Sequence, residues 1–311
     1  MSIVSFGELL IDFVALETGV SVGEASGFEK KPGGAPANVA VAVARLGVPS
    51  AFLGQVGDDP FGHYLAGVLR TEGVNVDGLR FSDEARTMLA FVSLRGDGER
   101  SFSFYRHPSA DVLMKPEDLA LDVIDAAKVF HFGSVSMIGE PSGTTTLTAA
   151  RYAKEHGLLV SYDPNLRLSL WPSEEAAREG MLRGLDYAQV VKVSAEELDF
   201  LTGGAGIDPL WRDGMQLIVV TQGAEGATAH TRAGSVYVPG FSVGAVDTTG
   251  AGDGFVAGML IQLYEAGGLP EDLAGALRFA NAVGALTTTQ RGAIPAMPDR
   301  ETVLNFLADM G

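Results

Sequence analysis

Short apolar runs alternate along this chain with longer segments that carry apolar residues at helical spacing. The runs predict β-strands, and several are apolar on both faces, as in a parallel sheet covered by helices. These predicted strands are IVSFGELLI, AFLGQVG, VFHFGSV, LLVSYDPN, VVKVS and LIVVTQG. The longer segments predict helices over residues 36–46, 61–72, 142–156, 174–186, 195–202, 252–266 and 271–288. The alternation indicates an α/β fold around a central, mostly parallel sheet flanked by helices.

Two segments break this alternation. Residues 87–106 have the pattern of two strands joined by an Arg-Gly-Asp-Gly turn, and residues 13–31 lack a helical pattern. We expect both to form a small β-sheet that stands off the main sheet, as a lid or an oligomer surface. A decorative antiparallel edge is the alternative. No linker or repeat divides the sequence, so we expect one domain over residues 1–311 with a discontinuous lid.

Composition and charge exclude several classes of protein. The 311 residues are 46% hydrophobic, which is enough for a large core, and their net charge of -17 argues against nucleic-acid binding. The absence of cysteine excludes disulfides, thiolate metal sites and a cysteine nucleophile. The first apolar run follows no Lys or Arg, and no uncharged apolar stretch reaches the roughly 18 residues that span a membrane. We therefore expect a cytoplasmic protein without membrane contact.

Well-known nucleotide and metal motifs are missing from the sequence. It contains no Gly-Lys pair for a Walker loop, and no Gly-x-Gly-x-x-Gly follows its first predicted strand. The five histidines do not cluster, which argues against a zinc site held by histidine.

The stretch AVDTTGAGDGF, residues 245–255, places three glycines at the start of the predicted helix 252–266. Free N–H groups and the helix dipole at such an end favour an anion, and glycines let the backbone approach it closely. This arrangement suits the charge that develops on a phosphoryl group in transfer. An ordinary glycine-rich turn with an aspartate cap is the alternative.

A second glycine-rich stretch, PGGAPAN at residues 32–38, opens the helix 36–46 with Asn38 in its first turn. A close backbone and one amide side chain suit the recognition of hydroxyl groups. Asp12 follows the first apolar run, where its carboxylate can accept hydrogen bonds from two sugar hydroxyls. A plain helix start and a solvent-facing strand end are the alternatives.

Taken in order, these stretches resemble the PfkB (ribokinase-like) family of carbohydrate kinases. GG-x-x-x-N at 33–38 with GQVGDDPFG at 54–62 is similar to the N-terminal signature of the family, and DTTGAGDGF at 247–255 matches its C-terminal signature. TQGAEG at 221–226 resembles the nucleotide loop and TTQRGAIPAMP the C-terminal segment, so the resemblance covers essentially the full chain. Within the family, the stretches at 98–114, 162–173 and 192–203 are most similar to those of fructokinases.

The resemblance implies a ribokinase-like fold and a set of site residues. Asp253 would be the catalytic base, and the amides of Gly250, Ala251 and Gly252 would form an anion hole. The implied acceptor-binding residues are Asp12, Gly33, Gly34, Asn38, Arg106 and Arg167. The implied nucleotide-binding residues are Thr221, Gly223, Gly226 and Asn281.

The implied cofactors are ATP with Mg²⁺, and potassium as a monovalent cation. Glu197 matches the glutamate of the family's Asn-x-x-Glu motif, which helps to place Mg²⁺, but Ser194 replaces the asparagine. A hydroxyl is shorter than an amide, so we do not expect Ser194 to take a direct part. Glu197 is expected to act on Mg²⁺ indirectly, since this ion keeps several waters and binds through phosphates. Asp247, Thr249 and Gly292 match the loop region that binds the monovalent cation in many members.

The resemblance implies an ATP-dependent kinase that converts D-fructose to fructose 6-phosphate and forms a homodimer through the lid. A 2-keto-3-deoxygluconate kinase, or a ribose or nucleoside kinase, keeps the chemistry and changes the acceptor. The pair Arg106 and Arg167 is compatible with such a sugar acid. A sugar-binding regulator without turnover is a further alternative, but it has no need of a base that faces an anion hole. A nicotinamide dehydrogenase is the weakest alternative, because the sequence lacks the Gly-x-Gly-x-x-Gly fingerprint after its first predicted strand.

Overall fold

The computed structural model describes residues 1–94 and 100–310, which form two β-sheets with flanking helices. The strands are β1 (Ser2–Phe6), β2 (Leu10–Thr18), β3 (Phe28–Gly33), β4 (Ser50–Gly57), β5 (Val74–Ser82), β6 (Leu89–Leu94), β7 (Arg100–Tyr105), β8 (Ala127–Gly133), β9 (Leu159–Asp163), β10 (Val190–Ser194), β11 (Leu217–Thr221), β12 (Gly226–Thr231) and β13 (Gly234–Pro239). The helices are α1 (Ala35–Arg45), α2 (Pro60–Thr71), α3 (Leu121–Asp125), α4 (Ser142–Glu155), α5 (Glu174–Leu185), α6 (Ala195–Thr202), α7 (Ala251–Ala266), α8 (Leu273–Thr287), α9 (Ala293–Ala296) and α10 (Arg300–Asp309).

The main sheet has nine strands in the order β13-β12-β11-β10-β9-β8-β1-β4-β5. The seven strands from β11 to β5 are parallel, and β12 and β13 continue the sheet as an antiparallel edge. The predicted parallel sheet is therefore confirmed. Parallel strands direct all their carboxyl ends to one edge, where open α/β sheets bind ligands.

Alternate residues of the strands enter two different cores. In β10, Val191 and Val193 pack with α4, α5 and α6, whereas Val190 packs with α1, α7 and α8 on the opposite face. Both faces of the sheet are thus covered, which explains why the strand sequences are apolar throughout. Helix α7 is buried on nearly all sides between α1 and α8, so its apolar surface is wider than the single face that the spacing predicts.

Side-chain caps fix where several helices begin. Asp59 caps α2 by accepting hydrogen bonds from the backbone N–H groups of Phe61 and Gly62, both at 2.9 Å. Its other oxygen accepts from the backbone N–H of Thr87 at 2.8 Å, just before β6. Ser194 and Glu197 form a reciprocal capping box at the start of α6. Such local signals place the seven predicted helices within two residues of their observed bounds.

The second sheet has four strands in the order β3-β2-β6-β7 and stands apart from the main sheet, as predicted. Strands β2 and β6 are parallel to each other, and each pairs with an antiparallel neighbour. This sheet joins residues 10–33 to residues 89–105. The Arg-Gly-Asp-Gly turn predicted at residues 95–98 lies outside the described residues.

Some predicted elements need correction. The run IVSFGELLI is not one strand, since β1 ends at Phe6 and β2 begins at Leu10 in the other sheet. Gly7 allows this crossing: its φ is 152°, and a Cβ there would lie 2.6 Å from the ring of Pro36. The predicted strands and helices do not include β5, the β12–β13 edge, α3, α9 or α10. Among the described residues, no helix has the length and apolar character needed to span a membrane.

Candidate active site

The carboxyl ends of the central strands bring charged residues to one edge of the main sheet. Glu8 follows β1, Asp163 ends β9, Lys192 lies near the end of β10, and Thr221 ends β11. Helix α7 begins in the same region, since Asp253 and Asp163 interact electrostatically. This edge is the expected ligand position in an open α/β sheet.

Asp253 lies in the first turn of α7 and is buried, with 8% of its surface exposed. Burial raises its pKa to about 6, although the hydrogen bond from Asn38 opposes the shift. The negative charge of Asp163 also raises this pKa, whereas the positive charges of Arg167 and Lys192 lower it. A carboxylate with a pKa closer to neutrality is a stronger base and is still ionised at pH 7.

The glycine-rich turn before Asp253 forms the start of α7, as predicted. Gly250 is the N-cap, with a left-handed φ of 78°, and a Cβ there would lie 2.7 Å from the side chain of Ala293. The Ala251 amide donates to the Thr248 carbonyl over a long 3.3 Å. The helix end combines N–H groups with the positive end of the dipole, which suits an anion.

Asn38 and Glu8 place polar groups beside Asp253. The Asn38 amide Nδ2 donates to the Asp253 carboxylate at 2.8 Å. The Glu8 Oε1 accepts from the Ala35 amide at 3.0 Å, whereas its buried Oε2 has no partner among the described residues. Burial raises the pKa of Glu8 to about 7. Glu8 and Asp253 line a small pocket together with Asp163.

Asp12 lies against Gly33 of the glycine pair, which the sequence predicts to bind the acceptor together with it. A Cβ on Gly33 would lie 2.3 Å from the Asp12 Oδ2, so the carboxylate occupies the space that a side chain at position 33 would take. Gly34 caps α1 with φ 109°, and a Cβ there would lie 2.3 Å from the backbone oxygen of Glu8. Asp12, Gly33, Gly34 and Asn38 thus lie around the start of α1, as the acceptor-site prediction requires.

The two predicted arginines differ in their surroundings. Arg106 is buried, forms an ion pair of 2.8 Å with Asp111, and donates to the Val135 carbonyl at 2.9 Å. Its charge is therefore already compensated. Arg167 is exposed after β9, and its charge lowers the pKa of Asp253. Of the two, Arg167 is the one that can offer a positive charge to a ligand.

The predicted nucleotide residues occupy one end of the sheet. Thr221, Gly223 and Gly226 belong to the turn between β11 and β12. A Cβ on Gly226 would lie 2.2 Å from the Val238 carbonyl, which also accepts the amide of Asn281 at 3.1 Å. Asn281 therefore joins α8 to this strand edge. Its role beside an adenine stays a prediction.

Glu197 lies in a network of charged groups rather than in a set of metal ligands. Its Oε1 accepts from the Leu166 amide and its Oε2 from the Ser194 amide, both at 2.8 Å. The Lys192 Nζ lies 3.3 Å from Asp163 and 3.9 Å from Glu197. Burial opposes the charge on Lys192, but these two carboxylates raise its pKa, so the ammonium is charged.

Asp247, Thr249 and Gly292, predicted as a cation site, lie together. The Asp247 Oδ1 accepts from the Thr249 amide at 2.9 Å and from its hydroxyl at 2.6 Å. The Oδ2 accepts from the Gly292 amide at 2.9 Å. Asp247 thus joins the loop before α7 to the loop before α9.

No motif in the sequence points to Glu8, Asp163 or Lys192, although all three lie beside Asp253 or its partners. The available signal was a charge within an apolar run, as in FGELL, VSYD and VVKVS. A charged residue is rarely buried without a partner, so a charge inside such a run is the signal that could have found these residues.

A family model described as "pfkB family carbohydrate kinase" matches residues 1–300. The chain belongs to this family. The family and the ribokinase-like fold that the motifs implied are therefore confirmed. A carbohydrate kinase transfers a phosphoryl group to a sugar hydroxyl, so this chain is a phosphotransferase.

Fructokinases are prominent among the similar proteins. The "Probable fructokinase-4" of Arabidopsis thaliana is 53% identical over 313 residues, which cover 98% of this chain and 96% of that protein. The structure of an ATP-bound fructokinase from Xylella fastidiosa has a TM-score of 0.92 and 41% identity, with 99% of this chain and 98% of that chain covered. A fructokinase double mutant from Vibrio cholerae O395, bound to fructose, ADP and potassium ion, has a TM-score of 0.87 and 38% identity over 98% and 97% of the two chains.

Proposed function

We propose that this chain transfers the γ-phosphoryl group of ATP to D-fructose and releases ADP and fructose 6-phosphate. Asp253 takes the proton of the 6-hydroxyl group, the hydroxyl oxygen forms a bond to the γ-phosphorus, and the bond to the ADP oxygen breaks. The observation that carries the proposal is the buried Asp253 carboxylate, which Asn38 holds at the start of a glycine-capped helix. This geometry puts a base next to an anion-binding helix end.

The acceptor side is formed by Asp12, Gly33, Gly34 and Asn38, which surround the start of α1. The Asp12 carboxylate accepts hydrogen bonds from sugar hydroxyls, and the backbone N–H groups at the glycines donate to them. Arg106 supports fructose over a sugar acid, because Asp111 already compensates its charge. Of the two arginines, Arg167 alone can then bind the carboxylate of a sugar acid. It is the reason for keeping a 2-keto-3-deoxygluconate kinase as the second candidate.

The donor side is formed by the turn at Thr221, Gly223 and Gly226, with Asn281 beside the same strand edge. The resident metal would be Mg²⁺, which neutralises phosphate charge and keeps most of its waters. No cluster of three or more His, Asp or Glu residues among residues 1–94 and 100–310 has metal-ligand geometry. Both Glu197 oxygens accept backbone hydrogen bonds, so Glu197 would act on the metal through a bound water rather than as a direct ligand.

The assembly and location that we propose are a homodimer in the cytoplasm. The second sheet exposes Leu16 and Tyr105, which are 67% and 63% exposed and can be covered by a second copy. The absence of cysteine is compatible with a reducing compartment. Light scattering of the purified chain tests the dimer, and Tyr105→Glu should convert it to a monomer. A wild-type monomer at micromolar concentration would contradict the dimer.

The acceptor is tested with one coupled assay of ADP release. The panel contains fructose, ribose, adenosine, 2-keto-3-deoxygluconate and fructose 1-phosphate, with ATP as the donor. We expect fructose to give the highest kcat/KM, and phosphorus NMR to locate the new phosphate on the 6-oxygen. A higher kcat/KM for the sugar acid would overturn the assignment of fructose, and no turnover with any acceptor would overturn the kinase assignment.

A further inference from the structure

Lys192 is a partly buried cation in the middle of the charged edge. It stands in β10 between two apolar neighbours, Val191 and Val193, and 14% of its side chain is exposed. Strand β10 lies between β9, which carries Asp163, and β11, which carries Thr221 of the nucleotide turn. The ammonium therefore lies between Asp163, on the side where Asp253 stands, and Thr221 of the proposed nucleotide turn.

The hydrogen bonds of this ammonium to protein groups are long. A charge-assisted N–H···O bond usually measures about 2.7–2.9 Å. Lys192 is 3.4 and 3.3 Å from the two oxygens of Asp163, and 3.9 Å from the nearest oxygen of Glu197. The carboxylates hold the side chain in place without a tight bond, so the three ammonium donors can still serve a further acceptor.

The remaining side of the ammonium faces the glycine-capped helix. A Cβ on Gly252 would lie 3.6 Å from the Lys192 Nζ. Apart from the adjoining residues and the backbone of α7 itself, no other atom of the described residues would lie within 4 Å of that Cβ. The neighbouring polar side chains have other partners. The Ser194 hydroxyl accepts a hydrogen bond from the backbone N–H of Glu197 at 3.1 Å. The Glu197 carboxylate accepts hydrogen bonds from the backbone N–H groups of Leu166 and Ser194.

We propose that Lys192 is a further catalytic residue, whose ammonium contacts the phosphoryl group while it passes from ADP to the sugar. Lys192 keeps its proton throughout, since Asp253 is the group that accepts the hydroxyl proton. A fixed positive charge contributes most where negative charge develops in a site without bulk water. Asp163 and Glu197 hold the long side chain extended, so little reorganisation accompanies the reaction. The proposal rests on the kinase activity proposed above.

Lys192→Met tests the role by removing the charge while preserving most of the side-chain volume. We expect kcat to fall at least about 100-fold, as for the loss of one group that stabilises transition-state charge. The Kd of the sugar by calorimetry should stay within threefold, and Lys192→Arg should recover part of kcat. The matched control is Arg212→Met, which breaks an exposed ion pair of 2.9 Å with Asp186 and should keep kcat. A kcat within threefold of wild type in Lys192→Met would overturn the proposal.

A purely structural role for Lys192 is distinguished by a double variant. Lys192→Met leaves the buried Asp163 without its cation, which destabilises the fold. Adding Asp163→Asn removes that uncompensated charge, so the double variant should regain the Tm of the wild type but not its kcat. Recovery of kcat together with Tm would assign Lys192 to stability alone. The assays use whichever acceptor the wild type phosphorylates, so a wrong assignment of fructose would leave this test valid.

Discussion

Asn38 and Asp253 are 215 residues apart in the sequence, and the Asn38 amide donates to the Asp253 carboxylate at 2.8 Å. The bond holds one oxygen of the carboxylate, and in the proposed reaction the other oxygen would face the acceptor hydroxyl. It also stabilises the ionised form, which limits how far burial raises the pKa of Asp253. The position and the basicity of Asp253 both depend on α1, the helix that begins beside the acceptor-binding glycines.

Asp253→Asn removes the base and keeps the size of the side chain. We expect kcat to fall by about 10²–10⁴, the usual contribution of general base catalysis. Calorimetry should find ATP and fructose affinities within a few-fold of wild type, because the substitution leaves the binding residues in place. Full activity of this variant would show that another group accepts the proton.

The pH dependence of kcat/KM should report Asp253. The base must be ionised, so kcat/KM should fall about tenfold per pH unit below its pKa of about 6. Asn38→Ala removes a hydrogen bond that lowers this pKa, so the acidic limb should move to higher pH. Asn305→Ala, an exposed amide on α10, is the control. If the acidic fall of kcat/KM stayed at the same pH in Asn38→Ala, the Asn38 hydrogen bond would not determine the pKa of Asp253.

Glu8→Gln should stabilise the protein at alkaline pH. Burial raises the folded-state pKa of Glu8 from 4.5 to about 7, so ionisation costs stability as the pH rises through that range and costs nothing below it. At about 1.4 kcal/mol per pKa unit, the amide should increase the free energy of unfolding by roughly 3 kcal/mol at pH 8 and by little at pH 4.

Thermal melts across this pH range measure the Glu8 effect directly. Exposed Glu155→Gln on α4 serves as the control and should leave the pH dependence as in wild type. A destabilised Glu8→Gln variant at pH 8 would mean that the charged carboxylate has a stabilising partner.

Gly33→Ala should weaken sugar binding without affecting the nucleotide. The new Cβ would lie 2.3 Å from the Asp12 Oδ2, so the carboxylate has to move. We expect the KM for fructose to rise about tenfold or more, which corresponds to roughly 1.4 kcal/mol, while the KM for ATP stays within twofold. Gly67→Ala is the matched control, because a Cβ there meets no atom within 4 Å. An unchanged KM for fructose would mean that the Asp12 carboxylate does not bind the sugar.

Potassium should accelerate turnover relative to a bulky organic cation such as tetramethylammonium. Asp247 joins the loops before α7 and α9 through Thr249 and Gly292, so a cation there would order the anion-binding turn. We expect a several-fold higher kcat in potassium, measured at constant ionic strength, and a smaller ratio in Asp247→Asn. Equal rates in both salts would remove Asp247, Thr249 and Gly292 from a cation role.

Local patterns predicted most of the fold because they have local physical causes. The first four residues of β11, Leu217 to Val220, are apolar on both faces, since helices cover both sides of the sheet. Asp59 and Ser194 are caps that can be recognised in the sequence and that mark helix starts. The break after Phe6 could not be predicted in this way, because it depends on the approach of Pro36 to Gly7.

The candidate site was only partly predictable for the same reason. Asp253 and Asn38 lie in glycine-rich stretches whose composition already indicates a ligand, and Asp12 directly follows the first apolar run. Lys192 and Glu8 lie in ordinary apolar runs, and their importance comes from partners that are distant in sequence, such as Asp163 and Asp253. Burial and long-range charge are properties of the folded chain, so local spacing gives no measure of them.

The second sheet joins two distant stretches of the chain by the parallel pairing of β2 with β6. Asp12 belongs to the first stretch, and Arg106 directly follows the second. Because the ladder couples the stretches, a displacement of one carries the other with it. A closure of this sheet over an acceptor would therefore move both stretches together, and a substitution that loosens β7 should weaken contacts made by β2.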